Sequence, residues 1–426
     1  MPDGAATSHL YRPKLWTTFR EGYGLADLRR DAVAGLTVAV IALPLSMAIA
    51  VASGVSPERG LYTAIVGGFV VSLLGGSRFQ IGGPAGAFIL LVAATAAQFE
   101  LSGLLTAVLM SGALLAVLGV LRLGALVRHI PHAVTVGFTG AIAVTILASQ
   151  LKDLAGLRLD GPEPGELGPK LVALADHWAT FNPVALAVGG GVAAAILALR
   201  RWRPACPGML IAIVAASAGA WALGLPVETI GDRFGDLPRG LPAPAWPDLR
   251  PATLLLVLPA ALSFTLLGAV ESLLSAKVAD GMTGRRHRSN MELVAQGLAN
   301  VASAVFGGFC VTGTIARTAA NVRAGARSPV AGLLHAGFLL LFVLVAAPLA
   351  GFVPMAALAG VLVVVAWTMA EKAEFARLLR DWRTAAVLLA TFGLTLARDL
   401  TAGIAAGCLV AAVLALLRRP VAEEGD

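Results

Sequence analysis

Two stretches of the chain share one unusual pattern: residues 307–327 read GGFCVTGTIARTAANVRAGAR, and residues 75–88 read GGSRFQIGGPAGAF. Each begins with a glycine pair after an apolar run and continues through a short piece of extended character. Each then reaches a glycine-rich break and a helix too short to cross a bilayer. Broken helices at corresponding positions of two halves are the best sequence indication of a transporter's binding site.

The composition around these stretches is that of a polytopic membrane protein. Of the 426 residues, 58% are hydrophobic and only 13% are charged, and the mean hydropathy is +0.82. A soluble domain is about 25% charged. No P-loop, HExxH or Ser–His–Asp pattern occurs in a convincing setting. We therefore expect neither an enzyme nor a nucleotide-driven pump. The three cysteines lack metal-ligand spacing, so no metal or cofactor is expected.

Hydropathy predicts fourteen crossing or half-crossing segments. They are 31–53, 60–76, 84–98, 102–121, 132–151, 183–199, 206–223, 251–277, 290–307, 314–325, 329–350, 353–370, 384–397 and 400–417. Seven segments per half is an odd number, so the halves enter the membrane from opposite sides and form an inverted repeat. The chain then divides into a cytoplasmic N-terminal segment, a first repeat, an extracellular loop, a second repeat and a cytoplasmic tail: 1–30, 31–223, 224–250, 251–417 and 418–426.

The net charge of +7 follows from this topology and does not indicate nucleic-acid binding. With the N-terminus inside, most of the 32 lysines and arginines fall on the inner side, including the runs at 200–203 and 284–288. Because cytoplasmic loops carry the excess of positive charge, both termini are predicted to be cytoplasmic. We expect a bacterial-type plasma (inner) membrane.

The third segment of each half is too short to span the membrane. The apolar run 86–97 would cover about 18 Å of a hydrocarbon core about 30 Å thick, and its counterpart 314–325 is equally short. The extended pieces RFQI (78–81) and FCVT (309–312) need hydrogen-bond partners inside the protein, so we predict that they pair antiparallel. Both half-helices then start near the middle of the membrane with converging N-termini.

Two helix N-termini that face one cavity form an anion site, because each offers unpaired N–H groups and about half a positive charge. The residues expected beside them are glycines that permit close backbone approach and threonines that supply hydroxyls: Gly82, Gly83, Gly313, Thr312, Thr314 and Thr318. Simple helix packing is the alternative explanation for the glycines.

Arg317 and Glu271 are the charged residues expected deep in the membrane. Arg317, in the first turn of the second half-helix, either binds an anion or forms a structural salt bridge, and both remain open. Glu271 is its natural partner and the candidate proton-coupling residue, with static pairing to Arg317 or Lys277 as the alternative. Asn321 and Gln80 fit helix-packing hydrogen bonds better than ligand contacts.

Residues 31–77, with DAVAGLTVAVIALPLSMAIAVASG at their start, and residues 297–329 resemble the sulfate permease (SulP) family, whose animal relatives are anion exchangers and prestin. The resemblance implies an all-α, UraA-like 7+7 inverted repeat with short strands before half-helices 3 and 10. It also implies a core domain (segments 1–4 and 8–11) that moves against a gate domain (segments 5–7 and 12–14), with the anion between segments 3 and 10.

The family's motifs place the substrate site on three parts of this sequence. LPLSMA carries the first-segment proline, with Leu45 where many members have glutamine, and GPAG starts the third segment. TGTIART matches a pattern often written TGSFSRT, with Ala316 in place of its serine. The substrate-binding residues implied are Pro44, Leu45, Gly83, Pro84, Ala85, Gly86, Thr314, Ala316, Arg317 and Thr318.

The resemblance favours a secondary transporter of sulfate, bicarbonate or a dicarboxylate that works by an elevator-type shift. The expected partners are the anion, a coupling proton (or else sodium) and the lipid bilayer, without nucleic acid. An anion channel and a non-transporting voltage-responsive or scaffold protein are alternatives, and a nucleobase permease is a weaker one. Family members usually carry a cytoplasmic STAS domain after the last helix and often dimerise largely through it. Residues 418–426 are too few to form that domain, so we expect it to be absent from this sequence and leave a homodimer open.

Overall fold

The computed structural model describes residues 11–124, 131–161, 163–164, 167–203, 206–398 and 400–417. These residues fold into α-helices joined by loops, with one short strand pair. The helices are α1 Lys14–Arg20, α2 Leu25–Ala52, α3 Pro57–Tyr62, α4 Gly68–Leu74, α5 Ile89–Val120, α6 His132–Ala155, α7 Leu167–Asp176, α8 Pro183–Trp202, α9 Gly208–Ala222, α10 Ile230–Phe234, α11 Pro251–Thr283, α12 Ser289–Val305, α13 Ile315–Arg323, α14 Val330–Ala350, α15 Met355–Met369, α16 Lys372–Leu378, α17 Trp382–Ala397 and α18 Leu400–Leu416. The strands are β1 Gly82–Gly83 and β2 Thr312–Gly313.

Each of the fourteen predicted segments coincides with helix, but several boundaries differ; α11, for example, ends at Thr283 instead of residue 277. Helix α2 begins at Leu25 instead of residue 31. The third and fourth segments are continuous in α5, which is interrupted only at Glu100, where φ is 56° and ψ is −172°. Within the described residues, seven helical stretches are long and apolar enough to cross a membrane on their own. The other predicted segments correspond to uninterrupted helices below that length, such as α9, α17 and α18, to the interrupted α3–α4 region and the short α13, and to the third and fourth segments, which are joined in α5.

The helices pack into two groups, each with more extensive contacts within itself than with the other; between the groups, α2 meets α9 and α15. The core group contains α2–α5 and α11–α14, in which α5 packs along α11 and α12, and α14 packs along α2. The gate group contains α6, α8, α9, α15, α17 and α18, in which α6 packs against α15 and α17. This division is the one expected for the core and gate domains.

Glycines set the closest helix contacts inside each group. In the core group, a Cβ on Gly112 of α5 would lie 2.6 Å from the carbonyl oxygen of Gly297 on α12, and a Cβ on Gly297 would lie 2.5 Å from that of Gly112. Only residues without a side chain allow two helix backbones to approach this closely. The two repeats are thus locked together across the core, which holds the broken helices in place.

Candidate functional site

The two broken helices meet through an antiparallel strand pair. Gly82 is paired with Gly313, and Gly83 with Thr312. The prediction of antiparallel pairing is confirmed, but its register is corrected: of the two predicted pieces, RFQI and FCVT, only Thr312 lies in the ladder, which is otherwise formed by the glycines that follow them. The Thr314 amide donates to the Ile81 carbonyl oxygen at 3.3 Å, so the pairing extends toward α13.

The extended backbone before each strand is hydrogen-bonded by side chains from neighbouring helices and not by a longer ladder. Asn300 of α12 accepts from the Val311 amide at 2.9 Å and donates to the Val311 carbonyl oxygen at 2.8 Å. Thr63 accepts from the Phe309 amide at 2.8 Å. These bonds explain why the ladder is only two residues long, since the remaining backbone groups already have buried partners.

Both half-helices start within a few residues of the strand pair. Helix α13 is nine residues long and follows Thr314 directly, while the chain after Gly83 enters a 3₁₀ turn at Gly86–Phe88 and then α5. A chain extends at most about 3.5 Å per residue. The unpaired N–H groups of both first turns are therefore held close to one another.

The Arg317 guanidinium lies against the strand pair in the interior. Its side chain is 1% exposed, and Nη2 donates to the Ser46 hydroxyl of α2 at 3.1 Å. A Cβ on Gly83 would overlap Nη1 and lie 3.1 Å from Cζ. Within the described part of the chain, Nη1 has no hydrogen-bond partner and Arg317 forms no ion pair. A buried positive charge is thus presented beside both helix starts.

The expected pairing of Glu271 with Arg317 or Lys277 is wrong. Among the described residues, Glu271 makes no ion pair; it lies in α11 at 9% exposure, whereas Lys277 is exposed. The pair does not form because the Arg317 side chain extends toward α2 and β1. Hydroxyl groups occupy the contact between α11 and α13 instead. The Ser275 hydroxyl donates to Thr318 Oγ1 at 3.1 Å.

The other predicted site residues divide into three sets. Pro44 and Leu45 are buried in α2 just before Ser46, and Pro84 and Ala85 are buried between β1 and the 3₁₀ turn. Gly86 faces the gate group, since a Cβ there would lie 3.2 Å from Ile146 Cδ1 and 3.5 Å from Met369 Sδ. The third set consists of the remaining residues of the TGTIART motif.

Three residues of that motif have different environments. Ala316 is exposed, and the Thr314 hydroxyl is buried without a partner among the described residues. Thr318 is fully buried and accepts from both Ser275 and the Ile81 amide. The Thr318 hydroxyl therefore ties α13 to α11 and to the start of β1, which leaves it less available to a ligand than Thr314.

Gln80 and Asn321 make packing bonds, as expected. Gln80 donates to the Ser272 carbonyl oxygen at 3.1 Å, and Asn321 donates to the Phe79 carbonyl oxygen at 2.9 Å. Sequence reasoning missed Ser46 and Ser272, the second of which bonds Thr312 Oγ1 at 2.8 Å. The sequence feature that could have indicated them is a hydroxyl inside a membrane helix: Ser46 follows Pro44 closely, and Ser272 follows Glu271.

A cavity of about 540 Å³ lies elsewhere, at the C-terminal end of α6. It is lined by Asp153, Arg158, Asn182 and Glu228, among others. Asp153 lies two helical turns along α6 from Ile146, the residue that faces Gly86. Arg233 bonds Asp153 at 2.7 Å beside it. Its charged groups are largely paired with one another, so the strand pair remains the better candidate for anion binding.

Comparisons with known proteins agree on one family. Residues 28–391 match the model of the sulfate permease family. YvdB of Bacillus subtilis, whose name assigns it provisionally to sulfate transport, is 42% identical over 401 residues, which cover 93% of this chain and 75% of YvdB. The bicarbonate transporter BicA of Picosynechococcus is 31% identical over 407 residues, covering 92% and 71%. The solved transmembrane domain of a cyanobacterial BicA superposes with a TM-score of 0.82 at 30% identity, covering 90% and 98%.

Proposed function

Because the chain belongs to the sulfate permease family, we propose that it is a secondary transporter of small inorganic or organic anions whose substrate binds between the N-termini of α5 and α13. The observation that carries this proposal is Arg317, a buried guanidinium without a carboxylate partner in the described residues, placed against Gly83 and Ser46. An isolated charge is costly in the membrane interior, and an anionic ligand offsets that cost.

The arrangement suits an oxyanion. The first-turn N–H groups of α5 and α13 point toward the region of the strand pair, and Arg317 Nη1 adds a charged donor. Sulfate, bicarbonate and dicarboxylates all carry acceptor oxygens for such donors. The relatives named for sulfate and for bicarbonate make these the first substrates to test.

A substrate panel tests the proposal directly. Purified protein in proteoliposomes should take up at least one of sulfate, bicarbonate and succinate, and an unlabelled excess of the true substrate should compete. Currents far above carrier turnover would indicate a channel instead. Absence of flux for every anion, with folded protein verified in the same vesicles, would contradict the proposal.

We further propose that Glu271 takes up the coupling proton. Its carboxylate is nearly buried in α11 and has no ion-pair partner in the described residues. An ionised carboxylate in such surroundings is costly, and a second negative charge nearby raises that cost. Proton uptake at Glu271 on anion binding removes the repulsion and links transport to the proton gradient.

The substitution Glu271→Gln is therefore expected to remove the stimulation of uptake by an inward proton gradient while anion exchange across equal pH continues. Glutamine keeps the size and polarity of the side chain but cannot be ionised. Uptake is measured with and without a pH gradient, and Asp236→Asn, at an exposed loop position, is the matched control. Unchanged gradient stimulation in Glu271→Gln would exclude the residue as the proton carrier.

An elevator-type shift of the core group against the gate group is the proposed transport motion. Its support is that each group packs more extensively within itself than against the other, with Gly86 of the core against Ile146 and Met369 of the gate. Such a shift carries the strand pair and both half-helices as one body. We propose a bacterial plasma membrane location with both termini in the cytoplasm, which would put α1 on the cytoplasmic side.

Spin labels can detect this motion. With the exposed Cys206 replaced by serine, a label at Arg286 on the core and one at Arg380 on the gate should change their separation by about 5 Å or more when substrate is added. Labels at Arg200 and Arg380, both on the gate, should keep their separation. Electron–electron double resonance measures both pairs, and equal shifts in the two pairs would argue against rigid-body motion.

A further inference from the structure

Helix α1 ties together two loops of the core group. The Lys14 amide donates to the Gly75 carbonyl oxygen at 2.9 Å, at the end of α4. From the loop between α11 and α12, the Arg288 guanidinium donates to the Arg12 carbonyl oxygen at 2.6 Å and to the Thr17 hydroxyl at 3.0 Å. The loop held by Lys14 leads within a few residues into β1, so α1 is linked to the strand pair.

Positive charge is concentrated where α1 meets these loops. Burial, together with the charges of Arg288 and Arg78, lowers the pKa of Lys14 to about 8. Burial and the charges of Arg78 and Arg12 also lower the pKa of Arg288. Two carboxylates act on Lys14 in the opposite direction, those of Asp280 and Glu21, and Glu21 is already bonded to Arg78.

The cations here outnumber the available carboxylates. Asp280 is bonded to His287 at 2.6 Å, so it is engaged elsewhere. Arg78 is buried, and its Nε has no partner among the described residues. An additional anion would therefore relieve repulsion among Lys14, Arg78 and Arg288.

The outer face of α1 is apolar and aromatic. Trp16 is 61% exposed and Phe19, one turn further, is 57% exposed. Arg12 and Arg20 flank them and are also exposed. Tryptophan and phenylalanine beside arginines are typical of helices that lie in the membrane interface, with rings among the upper acyl chains and cations at the headgroups.

We propose that α1 and the α11–α12 loop form a binding site for one anionic phospholipid of the adjacent leaflet. The headgroup phosphate is held by Lys14, Arg12 and Arg288, while its acyl chains lie along Trp16 and Phe19. The exposed rings are what favour a lipid over a free anion, since a soluble phosphate gains nothing from them. Occupancy would stabilise the loop that leads to β1, which gives the transporter a dependence on anionic lipid.

Native mass spectrometry in detergent tests the site without requiring transport. After mild delipidation, the wild-type protein should retain phosphatidylglycerol in preference to phosphatidylcholine. The substitution Lys14→Gln should lower this retention about fivefold, the effect of one basic residue near a membrane surface. The double substitution Trp16→Ala with Phe19→Ala should lower it on the order of tenfold. Arg201→Gln, an exposed arginine at the end of α8, should change nothing.

Two further measurements distinguish a bound lipid from a soluble anion and test the role of the Lys14 charge. Glycerol 3-phosphate at millimolar concentration should not displace the lipid; displacement would mean a soluble-anion site and would overturn the proposal. Because burial and the neighbouring arginines lower the pKa of Lys14 to about 8, retention should fall between pH 7 and pH 10 in the wild type and stay flat in Lys14→Gln. Equal retention in all variants would also overturn the proposal, and neither result depends on whether the chain transports anions.

Discussion

Replacement of Arg317 by alanine is expected to reduce the initial rate of anion uptake by about a hundredfold or more. The guanidinium is the single charged donor that the described residues place beside both half-helix starts, and its Nη1 is unoccupied. A charge-assisted hydrogen bond is roughly twice as strong as a neutral one and contributes up to about 3 kcal/mol. That free energy corresponds to about two orders of magnitude in binding.

The same substitution should leave the stability of the fold unchanged or improve it. If Arg317 were one half of a buried ion pair, its removal would strand a carboxylate and destabilise the protein by about 3–5 kcal/mol. In the described structure its protein partner is the Ser46 hydroxyl, and no carboxylate is paired with it. Alanine removes a costly isolated charge, so the melting temperature in detergent should not fall.

Lysine at position 317 is the matched control. It keeps the positive charge but lacks the planar fork that reaches Ser46 and Gly83 together, so an intermediate uptake rate is expected. Uptake is measured in proteoliposomes and melting in detergent for all three proteins. Wild-type uptake in Arg317→Ala, or a large loss of its thermal stability with uptake preserved, would show that the residue is structural.

The sequence was sufficient to predict that two half-helices meet through extended segments at this site. Glycine pairs and the short apolar runs after them indicated two half-helices, and the need to satisfy buried backbone groups indicated that the extended pieces meet. The first feature is local in the sequence, and the second follows from the requirement that buried backbone groups have hydrogen-bond partners. The register was not predictable, because it depends on Asn300 and Thr63, which take up the backbone groups before β2: Asn300 lies on the helix that precedes β2, and Thr63 lies in the other half of the chain.

Side-chain partners could not be predicted in the same way. Glu271 and Arg317 have the right charges and the right depth, but an α-helix presents side chains over all directions, and periodicity does not show which face meets which neighbour. The face of α11 toward α13 turned out to carry Ser272 and Ser275. Arg317 instead reaches Ser46, a residue whose importance depends on how α2 packs beside β1.

Gly83→Ala is expected to have the second-largest effect on transport, again about a hundredfold, by displacing the Arg317 guanidinium. The new Cβ would overlap Nη1 and lie 3.1 Å from Cζ, while the strand itself stays paired through backbone bonds. The φ angle of +155° at this position adds backbone strain for any residue with a side chain. Gly190→Ala in α8, where a Cβ meets nothing within 4 Å, is the control and should leave uptake unchanged.

A double-mutant cycle separates displacement of Arg317 from damage to the strand. If Gly83→Ala acts by moving the guanidinium, it should cost almost nothing further in a protein that already carries Arg317→Ala, because the group it displaces is gone. If it acts by distorting β1, the two losses should multiply and the double variant should melt at a lower temperature. The measurement is the residual rate of anion exchange in the double variant, compared with the rate in each single variant. If the two losses multiply, Gly83 is needed for the conformation of β1 and not for the position of the Arg317 guanidinium.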